Sequence, residues 1–248
     1  MGRARNLLKS LMRRNPAIFN PLWKLAFPMF RPQEIYYGSE YVDRQQAFDT
    51  IYEQNRWGSI ESRSGRGSTL AYTGPLRSSL TRYLTQLKVE VLLDAPCGDY
   101  NWMRHVRLPT GARYIGGDIV APLIDDLQRT HGDAHHSFHQ MDIVEGPLPT
   151  ADLWICRDVL FHLSNADILR VLENFAASSI PYMLTSNYAF AKRNEDIRSG
   201  GFRFINLRQP PFGLPRSLSK AADFVAPEPP RYLELWSREQ VDAALRRG

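Results

Sequence analysis

The stretch VLLDAPCGDYNWM, residues 91–103, joins a short apolar run to an acid and a turn that contains glycine. A buried strand that ends on Asp94 and turns through Gly98 is typical of the first ligand-binding loop of an open α/β sheet. A dinucleotide loop has three glycines, because its backbone must approach a pyrophosphate closely. Here Pro96 and Tyr100 stand where such a loop needs small residues. The stretch therefore predicts a nucleotide-like ligand that has no diphosphate.

Segments with helix and strand periodicity alternate along much of the chain. This alternation predicts a doubly wound α/β fold, in which helices cover both faces of a mostly parallel sheet. The predicted strands cover residues 90–94, 113–118, 137–142, 152–156, 182–187 and 232–236, with a short candidate at 202–207. The predicted helices cover about 45–56, 75–87, 102–106, 122–130, 165–177 and 238–247, with Pro75 in a first turn and Ser164 or Asn165 as a cap.

Acidic residues end three successive predicted strands, at Asp94, Asp118 and Asp142. Because the carboxyl ends of parallel strands share one edge of a sheet, these carboxylates are expected to face one ligand. Asp118 lies 20 residues after Gly98, where nucleotide-binding domains place an acid that accepts from both ribose hydroxyls. A solvated loop acid is the alternative. A ribose, a base and an ammonium group fit this edge, and S-adenosylmethionine is a ligand of that kind.

The composition is ordinary for a soluble globular chain of 248 residues, but its positive charge is concentrated at one end. The net charge is +5, and residues 1–31 contain seven basic side chains and no acid. Without those seven, 24 basic and 26 acidic side chains remain, so the folded body is not expected to bind nucleic acid. No run approaches about 20 apolar residues, so no transmembrane helix is predicted.

The two cysteines, Cys97 and Cys156, have the spacing of neither a zinc site nor a disulfide framework. A reducing compartment, the cytoplasm, is the expected location. In the predicted sheet both thiols stand at the ends of neighbouring strands, so a redox pair and two buried free thiols both remain open.

Residues 1–32 are predicted to form a basic N-terminal arm, with an apolar helical pattern at Leu7, Leu8, Leu11 and Met12. Prolines at positions 16, 21, 28 and 32 are expected to break any long helix. Three interpretations of the arm stay open. It is a segment that contacts an anionic membrane surface, an organelle transit peptide, or an arm that packs on the domain or stays flexible.

The rest of the chain is predicted to divide into two parts. Residues 33–88 form a helical region with a Gly/Ser loop at 57–69, which has the composition of a lid over a site. Residues 89–248 form the core, and its aperiodic, proline-rich segment at about 188–230 is expected to be an insertion that binds the substrate.

Four motifs occur in the order found in class I S-adenosylmethionine-dependent methyltransferases, which this chain resembles over roughly residues 57–236. They are DAPCGDYNWM (94–103), YIGGDIV (114–120), MDI (141–143) and ICRDVLFHLS (155–164). A bacterial-type branch with a D-x-P-C-G-D-x-N-W-M first motif is the most similar, and it shares the S-G-x-G-S loop at 64–68 and the N-L-x-x-x-P-F-x-L-P segment at 206–215. The family's general pattern has loop glycines at Pro96 and Tyr100. The resemblance implies a Rossmann-like, seven-stranded sheet with one antiparallel strand, plus an N-terminal helical appendage.

The resemblance also implies roles for individual residues. Asp94 and the Gly98 backbone would flank the methionine end of S-adenosylmethionine, with Asp99 near its ammonium group, and Asp118 would bind the ribose. The remaining expected cofactor contacts, with the loop, the adenine ring and the methyl group, are Pro96, Cys97, Trp102, Ile119, Asp142, Ile143 and Arg157.

The candidate general base is His162, and Asp158 precedes it by four residues. If this segment is a helical turn, the two side chains share a face and the acid can orient the imidazole. A purely structural histidine is the alternative. The expected substrate contacts, from the Gly/Ser loop and the aperiodic segment, are Ser64, Ser68, Asn187, Tyr188, Arg203 and Asn206.

A histidine cluster at positions 131–139 has no accompanying carboxylate set, so no metal site is predicted. The sequence as a whole favours a methyltransferase that acts on a hydroxyl of a glycan, a lipid-linked sugar or another small hydroxylated molecule. Two alternatives stay open: a methyltransferase for a natural-product small molecule, and a non-catalytic sensor or scaffold that binds S-adenosylmethionine or a nucleotide. A dehydrogenase is disfavoured by the missing glycines.

Overall fold

The computed structural model describes residues 2–29, 35–38 and 40–247 of the chain. Arg31 and Pro32, and the side chains of Arg3 and Arg5, which belong to the predicted basic arm, lie outside this described part. No helix of the described residues is both long enough and apolar enough to cross a membrane.

A seven-stranded sheet forms the centre of the molecule. Its strands, in chain order, are β1 (Val91–Asp94), β2 (Arg113–Asp118), β3 (His136–Gln140), β4 (Leu153–Cys156), β5 (Tyr182–Asn187), β6 (Ser219–Ala222) and β7 (Tyr232–Ser237). The spatial order is β3-β2-β1-β4-β5-β7-β6, and β7 runs antiparallel to both of its neighbours. The order reverses between β1 and β4, which is where open α/β sheets bind their ligands. The predicted fold class, with one antiparallel strand, is confirmed.

Seven helices of the described residues accompany the sheet. They are α1 (Gly2–Arg14), α2 (Pro16–Ala26), α3 (Arg44–Glu53), α4 (Leu70–Gln86), α5 (Ala121–His131), α6 (Asn165–Ala177) and α7 (Arg238–Leu245). Pro16 begins α2, a position where the missing N–H has no helical partner to lose. Ser164 caps α6 as predicted, because its hydroxyl accepts from the Asp167 N–H.

Both faces of the sheet are covered, which explains why the strand at its centre is wholly apolar. All four residues of β4 are buried, as expected for a central parallel strand. Apolar side chains spaced three or four residues apart on α4 and α6 pack into two separate clusters. Each fully buried leucine or phenylalanine of these clusters contributes about 1.5–3 kcal/mol by leaving water. The helices leave the carboxyl ends of β1, β2 and β4 lining an open cavity.

Several element boundaries differ from the sequence predictions. The helix expected at 75–87 begins at Leu70, because the Thr69 hydroxyl caps it, and Pro75 lies inside it. β3 ends at Gln140, so Asp142 stands in the loop beyond the strand. The predicted helix at 102–106 is a single 3₁₀ turn, Met103–His105.

The aperiodic segment also differs from its prediction. Only Phe202–Arg203 of the strand expected at 202–207 forms, and it pairs with Ile35–Tyr36 outside the main sheet. The sequence did not predict β6, because the residues SKAA show no apolar alternation. They form a largely exposed strand at the edge of the sheet.

Candidate active site

A cavity of about 360 Å³ lies at the carboxyl ends of β1, β2 and β4. Its size is that of a small-molecule site. Of the predicted cofactor residues, all but Asp99 line it: Asp94, Pro96, Cys97, Gly98, Trp102, Asp118, Ile119, Asp142, Ile143 and Arg157. His162 and Asp158 line the same cavity.

Asp94 is buried at the end of β1, where the Tyr114 hydroxyl donates to its Oδ2 at 2.7 Å. Burial raises the pKa of the Asp94 carboxyl to about 7, and the bond from Tyr114 opposes this rise. Asp94 is therefore near its titration point at neutral pH. A cationic ligand at this end of the cavity would favour its charged form.

Asp118 is buried at the end of β2 and holds the turn after β1 in place. Its two oxygens accept from the N–H groups of Gly98 and Val120, each at 3.1 Å. Burial raises the pKa of Asp118 to about 6, against the lowering effect of these bonds. Each carboxylate oxygen has two lone pairs, so a ligand hydroxyl can still donate to Asp118.

Asp99 does not line the cavity, which corrects the expectation that it lies near the ammonium group. Its carboxylate accepts from the hydroxyls of Ser62 and Ser64, at 3.0 and 3.2 Å, and from the Arg63 N–H at 2.8 Å. The Ser64 hydroxyl in turn accepts from the Asp99 N–H at 2.9 Å. Asp99 therefore ties the Gly/Ser loop to the β1 turn.

Asp142 lines the cavity with a partner that the sequence analysis missed. Arg44, at the start of α3, donates to Asp142 Oδ2 from Nε at 2.9 Å and from Nη2 at 2.8 Å. Arg44 also donates to Asp167 and Glu145, at 3.1 and 2.8 Å. These bonds hold α3 against the cavity, into which Phe48 projects. The sequence could not predict these bonds, because nothing around Arg44 indicates which distant carboxylates it will meet.

The cavity wall between Asp118 and Asp142 is apolar. The residues that form it are Ile119, Val120, Leu123, Met141, Ile143 and Val144. A flat heteroaromatic ring fits such a wall, with polar groups at either side to orient it.

Four ion pairs connect Arg157, Asp158, Asp223 and Arg231 near the end of β4. Arg157 donates to Asp223 from Nη2 at 2.9 Å and to the Gly67 carbonyl at 2.7 Å. Arg231 pairs with both Asp158 and Asp223. The two arginines and two aspartates balance in charge. Asp223 lies in the aperiodic segment and Arg231 directly after it, and no spacing marked either residue.

Arg231 keeps one donor unused. Its Nη2 is buried and has no hydrogen-bond partner in the described part of the chain, and the residue lines the cavity. A buried donor without a partner costs about 1–3 kcal/mol, and an acceptor atom of a ligand would remove this cost.

His162 does not pair with Asp158, which corrects the predicted orientation of the imidazole. Residues 160–162 form a 3₁₀ turn, and Asp158 precedes it with a φ of 62°, so its side chain meets Arg231 instead. The imidazole Nδ1 lies 2.7 Å from the Gly201 carbonyl oxygen. A carbonyl only accepts, so Nδ1 carries the proton and Nε2 keeps a lone pair. Burial lowers the pKa of His162 to about 4.

Half of the predicted substrate residues reach the cavity. Ser64, Ser68 and Tyr188 line it, together with Trp57, whose ring centroid lies 5.5 Å from that of His162. The others, Asn187, Arg203 and Asn206, do not line it.

Each of these three has a buried structural partner instead. Asn187 donates to Glu234 and accepts from the Leu207 N–H. Arg203 donates to the Leu160 carbonyl, and Asn206 to two backbone carbonyls of its own loop. Their polarity serves the backbone of the aperiodic segment, which has few regular hydrogen bonds of its own.

The remaining sequence candidates have simple surroundings. Cys97 and Cys156 are free and buried, and burial raises the pKa of each thiol. His135 and His139 are exposed. Among residues 2–29, 35–38 and 40–247, no group of three or more histidine, cysteine or acidic residues could hold a metal ion.

The fold of this chain is similar to that of solved methyltransferase structures. The chain matches the N-methyltransferase NodS of Bradyrhizobium japonicum in complex with S-adenosyl-L-homocysteine, with a TM-score of 0.55 and 14% identity over 76% of this chain and 98% of that one. It matches the magnesium protoporphyrin IX methyltransferase ChlM of Synechocystis with bound SAM, with a TM-score of 0.52 and 16% identity over 79% and 98%. At these identities the likeness shows the fold alone, which is the class I methyltransferase fold.

Other comparisons are less informative. No family model matches the chain, and no curated protein does. The chain spans only 42% and 51% of the length of two other matched structures.

Proposed function

We propose that this protein is an S-adenosylmethionine-dependent methyltransferase that methylates a hydroxyl of a glycan, a lipid-linked sugar or another small hydroxylated molecule. One observation carries the proposal. Asp94, Asp118 and His162 line a single cavity at the switch point of a class I methyltransferase fold. Neighbours with this fold were solved with SAM or S-adenosyl-L-homocysteine bound.

The residues of the cavity fit this cofactor better than a dinucleotide. Asp118 would accept from the ribose hydroxyls, the apolar wall with Ile119 and Ile143 would hold the adenine, and Asp142 would stand near the ring. Asp94 supplies negative charge near the amino-acid end. The carboxylates of Asp94 and Asp118 favour a cationic ligand beside them. When bound, S-adenosylmethionine supplies a methyl group on a sulfonium, which leaves as a neutral thioether.

We call the part of the cavity that His162 and Arg231 line the acceptor end, because it would receive the acceptor. The lone pair on His162 Nε2 would accept the proton of the acceptor hydroxyl, which is general-base catalysis. Arg231 Nη2 donates to a second oxygen of the acceptor, and Trp57 and Tyr188 pack against its ring or chain. Placing nucleophile and methyl group in line supplies much of the rate, because the sulfonium needs little activation.

A non-catalytic sensor is the second candidate, and the environment of His162 favours it. An imidazole with a pKa of about 4 is a weak base at neutral pH. A binding protein would keep the cofactor end of the cavity and need no base at all. A methyltransferase for natural-product small molecules differs from the main proposal only in its acceptor.

Calorimetric titration with S-adenosyl-L-homocysteine and with NADH tests the cofactor class. We expect the thioether to bind and NADH not to bind. Replacing Asp118 by Ala is expected to weaken thioether binding by at least about tenfold, since one charge-assisted bond contributes about 1.5–3 kcal/mol. Binding of NADH without a response to the thioether would overturn the proposal.

A further inference from the structure

The helix α2 is apolar on two opposite faces. One face packs on the domain: Trp23 Nε1 donates to the Glu228 carbonyl at 2.9 Å, and Phe27, just after the helix, packs on Phe190 at 4.8 Å between ring centroids. The opposite face carries Ile18, Leu22 and Leu25, which are 61%, 58% and 80% exposed. This second face has no packing role within the described residues.

The helix α1 also exposes large apolar side chains. Leu7, Leu8 and Leu11 are 64%, 53% and 45% exposed, while Met12 is buried. Isolated exposed leucines are common, but six large apolar side chains on two consecutive helices are not. We name these six residues, Leu7, Leu8, Leu11, Ile18, Leu22 and Leu25, the outer face.

The charge around the outer face selects its partner. Residues 1–31 contain seven basic side chains and no acid, and Arg13, Arg14 and Lys24 are exposed. Lys220 adds another cation beside Lys24, since both lie over the Tyr232 ring, at 4.6 and 5.6 Å. Apolar side chains among cations are typical of helices that bind anionic lipid surfaces. A second copy of this chain would bring like charges together.

The arm is also fastened to the rim of the cavity. Asn20 donates to the Phe224 carbonyl at 2.8 Å and accepts from the Ala226 N–H at 2.8 Å. Glu228 lines the cavity, and its carboxylate pairs with Arg13 of α1 and with Arg66 of the Gly/Ser loop. One carboxylate therefore connects the arm, the loop and the cavity.

We propose that the outer face docks on an anionic lipid bilayer and holds the acceptor end of the cavity at the membrane surface. The six apolar side chains enter the headgroup region, and the basic side chains contact lipid phosphates. The acceptor end rests on the proposed function, whereas the lipid binding itself does not depend on methyl transfer.

Vesicle sedimentation of the full chain tests the inference. We expect the protein to bind vesicles that contain phosphatidylglycerol, to bind pure phosphatidylcholine vesicles much less, and to be released by high salt. The double variant Leu22→Ser/Leu25→Ser is expected to lose at least about tenfold in binding, because two large apolar side chains no longer leave water. Lys9→Glu/Arg14→Glu is expected to lose binding to the anionic vesicles as well.

Leu218→Ser is the matched control, because Leu218 is 55% exposed and lies outside the arm. It is expected to bind as the unaltered chain does, and thermal unfolding shows whether each variant is folded. Failure of the unaltered chain to bind anionic vesicles at low salt would overturn the inference. Binding of the double variant as tight as that of the unaltered chain would also overturn the inference. A third contrary result would be a dimer of the unaltered chain in light scattering that the double variant does not form, with no vesicle binding by either protein. None of these readouts depends on methyl transfer.

Discussion

The Ser64 hydroxyl occupies the space that a side chain on Gly98 would need. An ideal β-carbon at Gly98 would stand 2.1 Å from Ser64 Oγ and 3.0 Å from Ser64 Cβ, and the φ of Gly98 is +54°. The one glycine of the turn that begins at Asp94 is thus required by the approach of the Gly/Ser loop. The sequence predicted a cofactor at this turn, but it carries no signal of the approach of Ser64 to Gly98.

Gly98→Ala is expected to displace the Gly/Ser loop and weaken binding of S-adenosyl-L-homocysteine by about tenfold or more, which calorimetry measures. Gly213→Ala is the matched control, because Gly213 has a φ of +58° and its β-carbon would meet nothing within 4 Å. Both variants bear the left-handed backbone cost of about 1–2 kcal/mol, so thermal unfolding should change in both. Equal ligand affinity in the two variants would mean that Ser64 does not need this space.

Ligand binding is expected to release protons between roughly pH 5 and 7. The reason is that the pKa values of Asp94 and Asp118 are about 7 and about 6, and a cationic ligand favours their charged forms. Both are raised above 3.8, so the ligand-free protein binds more protons than its unfolded chain, and its stability falls as pH rises through this window. A cationic ligand favours the charged carboxylates, so affinity should rise with pH.

Calorimetry at pH 6 in buffers of different ionisation enthalpy measures the proton release. Asp94→Asn should reduce it. Proton uptake on binding, or none, would contradict the assignment of these two carboxylates to the ligand.

The free lone pair of His162 predicts a catalytic effect separate from binding. His162→Gln is expected to lower methyl transfer by about 10²–10⁴-fold at saturating cofactor, with S-adenosyl-L-homocysteine affinity nearly unchanged. His139→Gln, at an exposed position of β3, serves as the control. Unchanged turnover in His162→Gln would eliminate the base.

The pH profile adds a second readout for the same residue. The pKa of His162 is lowered from 6.5 to about 4, so its neutral form stabilises the fold fully above about pH 6.5, and this contribution is lost as pH falls toward 4. The activity of the unaltered protein should fall as pH drops toward 4, and the residual activity of His162→Gln should not show this fall.

The contacts of Arg44 predict that this side chain helps to hold α3 in place. Arg44→Ala removes hydrogen bonds to Asp142, Asp167 and Glu145 and is expected to cost about 1.5–3 kcal/mol of local stability. Hydrogen exchange over residues 44–53 should accelerate, and ligand affinity should fall. Arg246→Ala, which breaks an exposed pair with Asp242 in α7, should change neither by more than about 0.5 kcal/mol. Unchanged exchange in α3 would show that other contacts hold it.

The sequence predicted six of the seven strands of the sheet and the acidic ends of β1 and β2, because these follow from local pattern. β2, β5 and α6 begin and end at the predicted residues, since each is a continuous apolar or amphipathic run with a clear cap or turn. The same pattern predicted that Asp118 ends β2, because the apolar run of that strand stops at this residue.

The sequence could not predict which polar residues meet each other across the fold. Asp99 and Asp158 were expected to serve the ligand and a histidine, but their partners, Ser62 and Arg231, are far along the chain. Asn187, Arg203 and Asn206 appeared to be substrate residues because polar groups in an aperiodic segment look alike in sequence. Only the structure separates those that satisfy buried backbone groups from those that face a cavity.

The most direct test of the account is transfer of an isotopically labelled methyl group from S-adenosylmethionine to a cell extract, followed by mass spectrometry. We predict that at least one hydroxylated component gains a single labelled methyl group with the unaltered protein, and that Asp118→Ala and His162→Gln each greatly reduce the gain. If S-adenosyl-L-homocysteine binds but no component of any extract gains label, the protein is a sensor and the methyltransferase account is wrong.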